Sequence, residues 1–317
     1  MYDLSFGDPV VVRNNLKSMH FISERNIGYR VNQDCEKEIA AFVRSYYRQY
    51  FNATYKHIIL THGATGAINA IVNAIKGSYD VFAVNDMSFS WYERILKKEQ
   101  VNFTRKVEDM RNEKQSPSTF YIVDSPNNPW GHQILNPNLN PENVLWDSVY
   151  ASPIYMNSNV LQAPKHKIMV GSFSKMFGLS GLRIGWAATN DDVLAAKVKE
   201  LALTAECGLS APSLDIARNF VESVDMPAVH QQGKLHLDFN REKFEKLSKI
   251  FSLKAPVDGM FYMGILDDKN KQILQKANVK GSELTSLAGT HYVRLNMADS
   301  YCKTKDAIAA ILKADQV

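Results

Sequence analysis

The sequence predicts an α/β protein: a three-layer domain built on a seven-stranded, mostly parallel sheet, joined to a smaller α+β domain. Three observations predict it. Between His57 and Ala188 short apolar runs recur with helical pieces between several of them, the pattern of a sheet packed between helices. After the last run come helical stretches and then alternating strand-like segments. The length, 317 residues, fits one large domain and a smaller one better than a single small core.

The elements follow in order. Glu36 to Phe51 carries Ile39, Phe42, Val43, Tyr46, Tyr47 and Tyr50 at spacings of three and four, so it reads as a helix burying one aromatic stripe in the core. Strands are expected near 57–61, 80–84, 101–105, 119–123, 143–147, 167–171 and 184–188. An apolar helix follows the first of them, from Ala67 to Ile75. Asn190 is a candidate cap for a helix running to about Thr204, and Pro212–Val224 and Ala228–Ile250 also read as helical. Strands at Phe251–Ala255, Gly259–Leu266 and His291–Met297, with helices near 268–277 and 303–315, complete the smaller domain. The expected division is an N-terminal arm over 1–30 that joins the small domain, a large domain over 31–205 and a small one over 206–317.

Composition narrows the function classes. Hydrophobic residues at 45% and charged residues at 22% are ordinary globular values. The net charge of +4 is spread without a long Lys/Arg run, which argues against a nucleic-acid surface and agrees with a small anionic ligand. Cys35, Cys207 and Cys302 are isolated, and the histidines form no HExxH pattern, so neither a disulfide framework nor a metal site is expected. The first nine residues carry Asp3 and Asp8 and no signal-like region, and no window reaches the roughly 18 apolar residues of a membrane span. A cytoplasmic protein is expected.

Six short segments carry the chemistry. Gly171 to Trp186 sets Lys175 among Ser172 and Ser174, with Arg183 eight residues downstream and glycines at 171, 178, 181 and 185 that let backbone bend around a ligand. It is not a nucleotide P-loop, because no GK[ST] follows at the required spacing. Gly63-Ala64-Thr65-Gly66 follows a strand and opens a helix, whose N–H groups either bind a phosphate or are simply capped. Phe89, Trp91 and Tyr92 are three aromatics in four residues, suited to stacking on a flat ring or to the core. Asn128-Pro129 follows a strand in a turn, and Asp147 ends a strand with Tyr150 three residues on. Arg294 sits in the strand-like His291–Asn296, where its fork suits a carboxylate or simply faces outward.

Taken in chain order, the segments resemble the pyridoxal-phosphate enzymes of the aspartate aminotransferase family (fold type I), near the histidinol-phosphate aminotransferase branch. The resemblance runs from about Gly7 to the last helix and implies a role for each residue. Lys175 holds the cofactor aldehyde as an imine. Ala64, Thr65, Ser172, Ser174 and Arg183 hold its phosphate, and Phe89 stacks on its pyridine face. Asn128 and Tyr150 share its phenolic oxygen, and Asp147 keeps its pyridine nitrogen protonated. Arg294 grips the substrate carboxylate, Gly7 and Asn128 line the substrate site, and Tyr29 reaches the phosphate of the neighbouring subunit in a homodimer. Two departures stand out: Trp130 replaces a small residue after Asn128-Pro129, and Ser148 and Val149 replace the usual Glu-Ala between Asp147 and Tyr150.

The activity so implied is amino-group transfer between an L-amino acid and a 2-oxo acid. Elimination, decarboxylation or cyclisation of an amino acid is the nearest alternative, and a non-catalytic binding module of the same fold a more distant one.

Overall fold

The computed structural model describes residues 1–5, 7–13, 32–106, 116–134, 138–157 and 163–316. The chain starts with a two-residue strand β1 (Tyr2–Asp3) and a short helix α1 (Val10–Arg13), then the long helix α2 (Asn32–Phe51). The large sheet follows as β2 (His57–His62), α3 (Gly63–Ile75), β3 (Val81–Asn85), α4 (Trp91–Lys98), β4 (Phe103–Lys106), β5 (Thr119–Asp124), β6 (Val144–Asp147), β7 (Ile168–Ser172), α5 (Phe173–Met176) and β8 (Ile184–Thr189). Helices α6 (Asp192–Glu206), α7 (Ala211–Ser223), α8 (Met226–Glu245) and α9 (Ser248–Phe251) lead to the second unit. It comprises β9 (Phe261–Ile265), α10 (Asp268–Lys276), β10 (Val279–Lys280), β11 (Ser282–Thr285), β12 (His291–Asn296) and α11 (Tyr301–Asp315).

Among the described residues the large sheet has seven strands in the order β2-β8-β7-β6-β5-β3-β4. Only β8 is reversed, pairing antiparallel with β2 and β7, while the other neighbours pair in parallel. Every residue of β5, β6, β7 and β8 is buried. Strands buried on both faces read as unbroken apolar runs, which is why these four were visible in the sequence.

One face of the sheet is covered by α3, α4 and α6 through Ile68, Ile71, Val72, Leu96 and Val198. The other is covered by α2 and by helices from the second half, in a core that runs on into the second unit. The aromatic stripe of α2 lies in that core: Tyr47 meets Trp146 and Trp186 edge-on, with ring centres 6.0 and 6.3 Å apart.

Four local expectations change. Residues 251–255 form no strand. Ser252 turns the chain at φ +62°, and the backbone of Leu253 and Ala255 bonds to the Tyr262 hydroxyl and the Glu245 carboxylate instead of a neighbouring strand. The long helix over 228–250 is interrupted after Glu245, where α9 begins separately. The cap before α6 is Asp191, which accepts from Val193 and Leu194 N–H, while Asn190 accepts from Lys56 N–H. Finally, Gly171 and Gly185 do not bend the chain but lie in β7 and β8. A Cβ on Gly171 would sit 2.6 Å from the Trp186 ring, and one on Gly185 would sit 2.3 Å from the Gly63 backbone, so both are demanded by close packing.

The second unit is tied to the chain's beginning. β1 pairs in parallel with β10, Asn296 N–H donates to the Leu4 carbonyl, and β11-β12-β9 form a small antiparallel sheet. The Gly7 carbonyl accepts from Lys175 of the large unit, and the Asp8 carbonyl accepts from Asn296 Nδ2 of β12.

Candidate active site

Asp124, Asp147 and Ser172 end β5, β6 and β7 at the same edge of the large sheet. Ligands of open parallel sheets bind at this carboxyl edge, where loops rather than strands supply the side chains. A cavity of about 180 Å³ opens there. Its lining includes Lys175, Asp147 and Tyr150, together with Ala64, Thr65, Ser172, Ser174, Arg183 and Phe89.

At one end lies the start of α3. His62 stands at its N-cap but gives it no side-chain cap hydrogen bond, and Ala64 and Thr65 of the first turn line the cavity at the positive end of the helix dipole. Gly63, at φ +69°, packs against the Arg183 guanidinium; a Cβ there would lie 2.9 Å from Nη2. Arg183 itself adopts a left-handed backbone after a short turn and reaches the Ser180 carbonyl at 3.1 Å. This end is built for an anion.

At the other end lies Asp147. Burial raises its carboxyl to about 6, and hydrogen bonds from Tyr92 Oη (2.6 Å) and Val149 N–H (3.1 Å) act against that rise. Tyr92 is one of the three aromatics that the sequence offers for stacking or for the core. Its hydroxyl is committed to Asp147, and its ring meets Phe89 edge-on with centres 5.6 Å apart. Ser148, which takes the place of a glutamate, is fully buried; it donates to the Val170 carbonyl and pairs with Tyr47 Oη, both at 2.6 Å.

Lys175 lines the same cavity. Its Nζ donates to the Gly7 carbonyl, and the Tyr155 hydroxyl holds the Lys175 carbonyl at 2.7 Å. Burial brings its ammonium down to about 8; Asp8 opposes this, while Arg294 and Arg183 add to it. An amine tuned so low is partly neutral near pH 7 and can act as nucleophile or base.

Asn128 and Arg294 adjoin the cavity. Asn128 Nδ2 donates to Tyr150 Oη at 3.4 Å, and its Oδ1 accepts from Arg294 Nη1 at 2.8 Å. Arg294 lies over the Phe261 ring at 4.2 Å, and its Nε is buried with no hydrogen-bond partner. Its Nη2 lies 3.5 Å from the Ser5 carbonyl and 3.4 Å from the Ser282 hydroxyl. Gly7 packs here too: a Cβ would lie 2.8 Å from Phe261 Cζ and 3.6 Å from Lys175 Nζ. Trp130 stands edge-on to Tyr292, ring centres 5.2 Å apart. Tyr29 lies outside the described residues.

The family model described as Allinase (Alliinase_C) matches residues 8–257. The chain belongs to the Allinase family. It is thereby a fold type I pyridoxal-phosphate enzyme of the aminotransferase kind. Among curated relatives, the histidinol-phosphate aminotransferase of Buchnera aphidicola is 22% identical over 280 residues, covering 80% of this chain and 74% of that one. An L-serine phosphate decarboxylase of Campylobacter jejuni is 25% identical over 231 residues, covering 63% of this chain and 57% of that one. The crystal structure of an aromatic aminotransferase from Pyrococcus horikoshii superposes with a TM-score of 0.74 at 16% identity, over 98% of this chain and 94% of that one. That likeness establishes the fold.

Pyridoxal phosphate fits what this Allinase-family chain presents. The uncapped start of α3 beside Arg183 suits its phosphate, the Asp147 carboxyl its ring nitrogen, and the lowered Lys175 amine its aldehyde.

Two residues at the site escaped sequence reading. Asp124 is buried beside Asp147, and Tyr155 holds the backbone of Lys175. Asp124 did leave a trace, a strand-end carboxylate four residues before Asn128; Tyr155 left none.

Proposed function

We propose that this pyridoxal-phosphate enzyme transfers an amino group from an L-amino acid to a 2-oxo acid. The observation that carries the reading is one cavity lined together by Lys175, Asp147 and Arg183, the amine of Lys175 brought down to about 8. When bound, the cofactor supplies an electron sink for negative charge at the substrate Cα.

The residues divide the remaining work. Arg183, the start of α3 at Ala64 and Thr65, Ser172 and Ser174 bind the phosphate. Asp147, carrying the hydrogen bond from Tyr92, holds a proton at the pyridine nitrogen. Phe89 would pack on the cofactor ring, and Asn128 and Tyr150, already hydrogen-bonded to each other, would hold its phenolic oxygen. Lys175 Nζ would hold the cofactor at its aldehyde and, as a free amine brought down to about 8, would carry the substrate Cα proton as a base. Arg294 orients the substrate through its carboxylate.

The proposal extends to a homodimer in which Tyr29 serves the partner's phosphate site, and to a cytoplasmic enzyme. Isolated cysteines support the latter. No helix among the described residues is long and apolar enough to cross a membrane. We also propose the division into an arm over 1–30, a cofactor domain over 31–205 and a small domain over 206–317.

Decarboxylation is the second reading, supported by the relative from Campylobacter. An amino-acid panel with and without 2-oxoglutarate separates the two: glutamate formed only with the oxo acid supports transfer, and carbon dioxide released without it supports decarboxylation.

A further inference from the structure

The turn that presents Asn128 is wound around a carboxylate. Asp124 is 1% exposed and lies opposite Asp147 in the register of β5 and β6. Its Oδ2 accepts the Asn128 N–H at 2.9 Å, and its Oδ1 accepts from Asn127 Nδ2 at 2.8 Å. Asn127 then gathers the rest of the turn: its Oδ1 accepts from Trp130 N–H at 3.3 Å and its carbonyl from Gly131 N–H at 2.7 Å.

Asn128 has to face two ways. Its amide donates to Tyr150 Oη and accepts from Arg294 Nη1, and an amide satisfies one donor and one acceptor only in one orientation. Where its backbone sits therefore decides whether both contacts are reached together. Burial is the largest cause that raises the Asp124 carboxyl, to about 7, and Asp147 on β6 adds to it; Tyr92 on α4 and Tyr150 also feel its charge. An amide or hydroxyl could close a turn at lower cost than a buried carboxyl, which makes a functional role the better explanation.

We propose that Asp124 is a positioning residue for the reaction, its carboxylate fixing the backbone of Asn128 so that Tyr150 and Arg294 act on one bound substrate. This rests on the functional reading above, in which Arg294 takes the substrate carboxylate. Asp124 acts through Asn128 and touches neither substrate nor cofactor.

The test uses four variants of the full chain: Asp124→Asn, Asn128→Ala, the double variant and Arg294→Lys. Asparagine keeps one acceptor but turns a second donor toward Asn127 or Asn128, so one bond is lost. In the protein without cofactor, amide exchange over residues 127–131 is expected to show about tenfold lower protection in D124N, the loss typical of a hydrogen bond to a charged group. In the loaded protein, the Kd for 2-methylalanine is expected to rise about tenfold, KM to rise more than kcat falls, and the double variant to be no worse than N128A. D124N within twofold of wild type in protection and Kd, while R294K is impaired, overturns the proposal alone. So does a double variant in which the two effects multiply. If R294K binds the probe as wild type does, the functional reading fails and this proposal falls with it. Should D124N not fold, the wild type decides: protection over 127–131 is expected to be lower at pH 6 than at pH 8, as Asp124 gains its proton, and a flat profile overturns the proposal.

Discussion

The Tyr92 hydroxyl donates to Asp147 Oδ2 at 2.6 Å, and neither side chain is more than 2% exposed. Burial alone would hold Asp147 protonated at higher pH; the hydrogen bond to its charged form pulls the other way. Tyr92→Phe removes that pull, so the carboxyl moves further above about 6 and is less often ionised near neutrality. The expected outcome is cofactor binding about tenfold weaker at pH 7, with the deficit growing toward pH 6 and shrinking toward pH 8. Fluorescence titration with pyridoxal phosphate across that range measures it; a uniform deficit would mean that Tyr92 acts only by packing.

The Lys175 amine carries a second pH dependence. With its ammonium brought down to about 8, the fraction of reactive free amine rises as pH passes through that value and is complete above it. The rate at which the cofactor-free protein captures pyridoxal phosphate is therefore expected to climb with a midpoint near 8. A midpoint above pH 10 would show the lysine solvated and untuned. Stopped-flow absorbance reads it directly.

Arg294→Lys tests the carboxylate grip. Lysine keeps the charge but loses the planar fork and the Nε that has no protein partner. KM for the amino donor is expected to rise about a hundredfold, the effect of losing a bidentate contact, with thermal stability little changed. A change confined to kcat would place the arginine elsewhere in the reaction.

Gly131→Ala tests the seam between the Asn128 turn and the second unit. Gly131 has φ +73°, and a Cβ there would lie 2.1 Å from the Asp258 carbonyl oxygen. Backbone has to move on both sides, so a loss of about 2 kcal/mol or more in urea unfolding is expected. A variant as stable as the wild type would show that the seam yields freely.

Much of this was legible in the sequence, for a physical reason. Buried strands announce themselves as apolar runs, and at the carboxyl edge of the sheet each strand ends next to its own short motif. Asp147 and Tyr150, Gly63 to Thr65 and Ser172 to Arg183 could therefore be read segment by segment. What stayed hidden depends on partners distant in the chain. Tyr92 and Asp147 are 55 residues apart, and nothing around Tyr92 distinguishes a hydroxyl with a carboxylate partner from a core aromatic. β1 and β10 are two-residue strands that exist only because Tyr2 meets Val279. Residues 251–255 carry a strand-like pattern, yet side chains from Glu245 and Tyr262 take up their backbone groups first. Local pattern gives the elements, and tertiary contact decides the exceptions.

The central claim is a covalent bond between cofactor and Lys175. Reducing the protein with borohydride in the presence of pyridoxal phosphate, then mapping its peptides by mass spectrometry, tests that claim most directly. A pyridoxyl group on the peptide containing Lys175, absent in Lys175→Ala, is the predicted result. A group found on another lysine, or retained in the variant, would contradict the account.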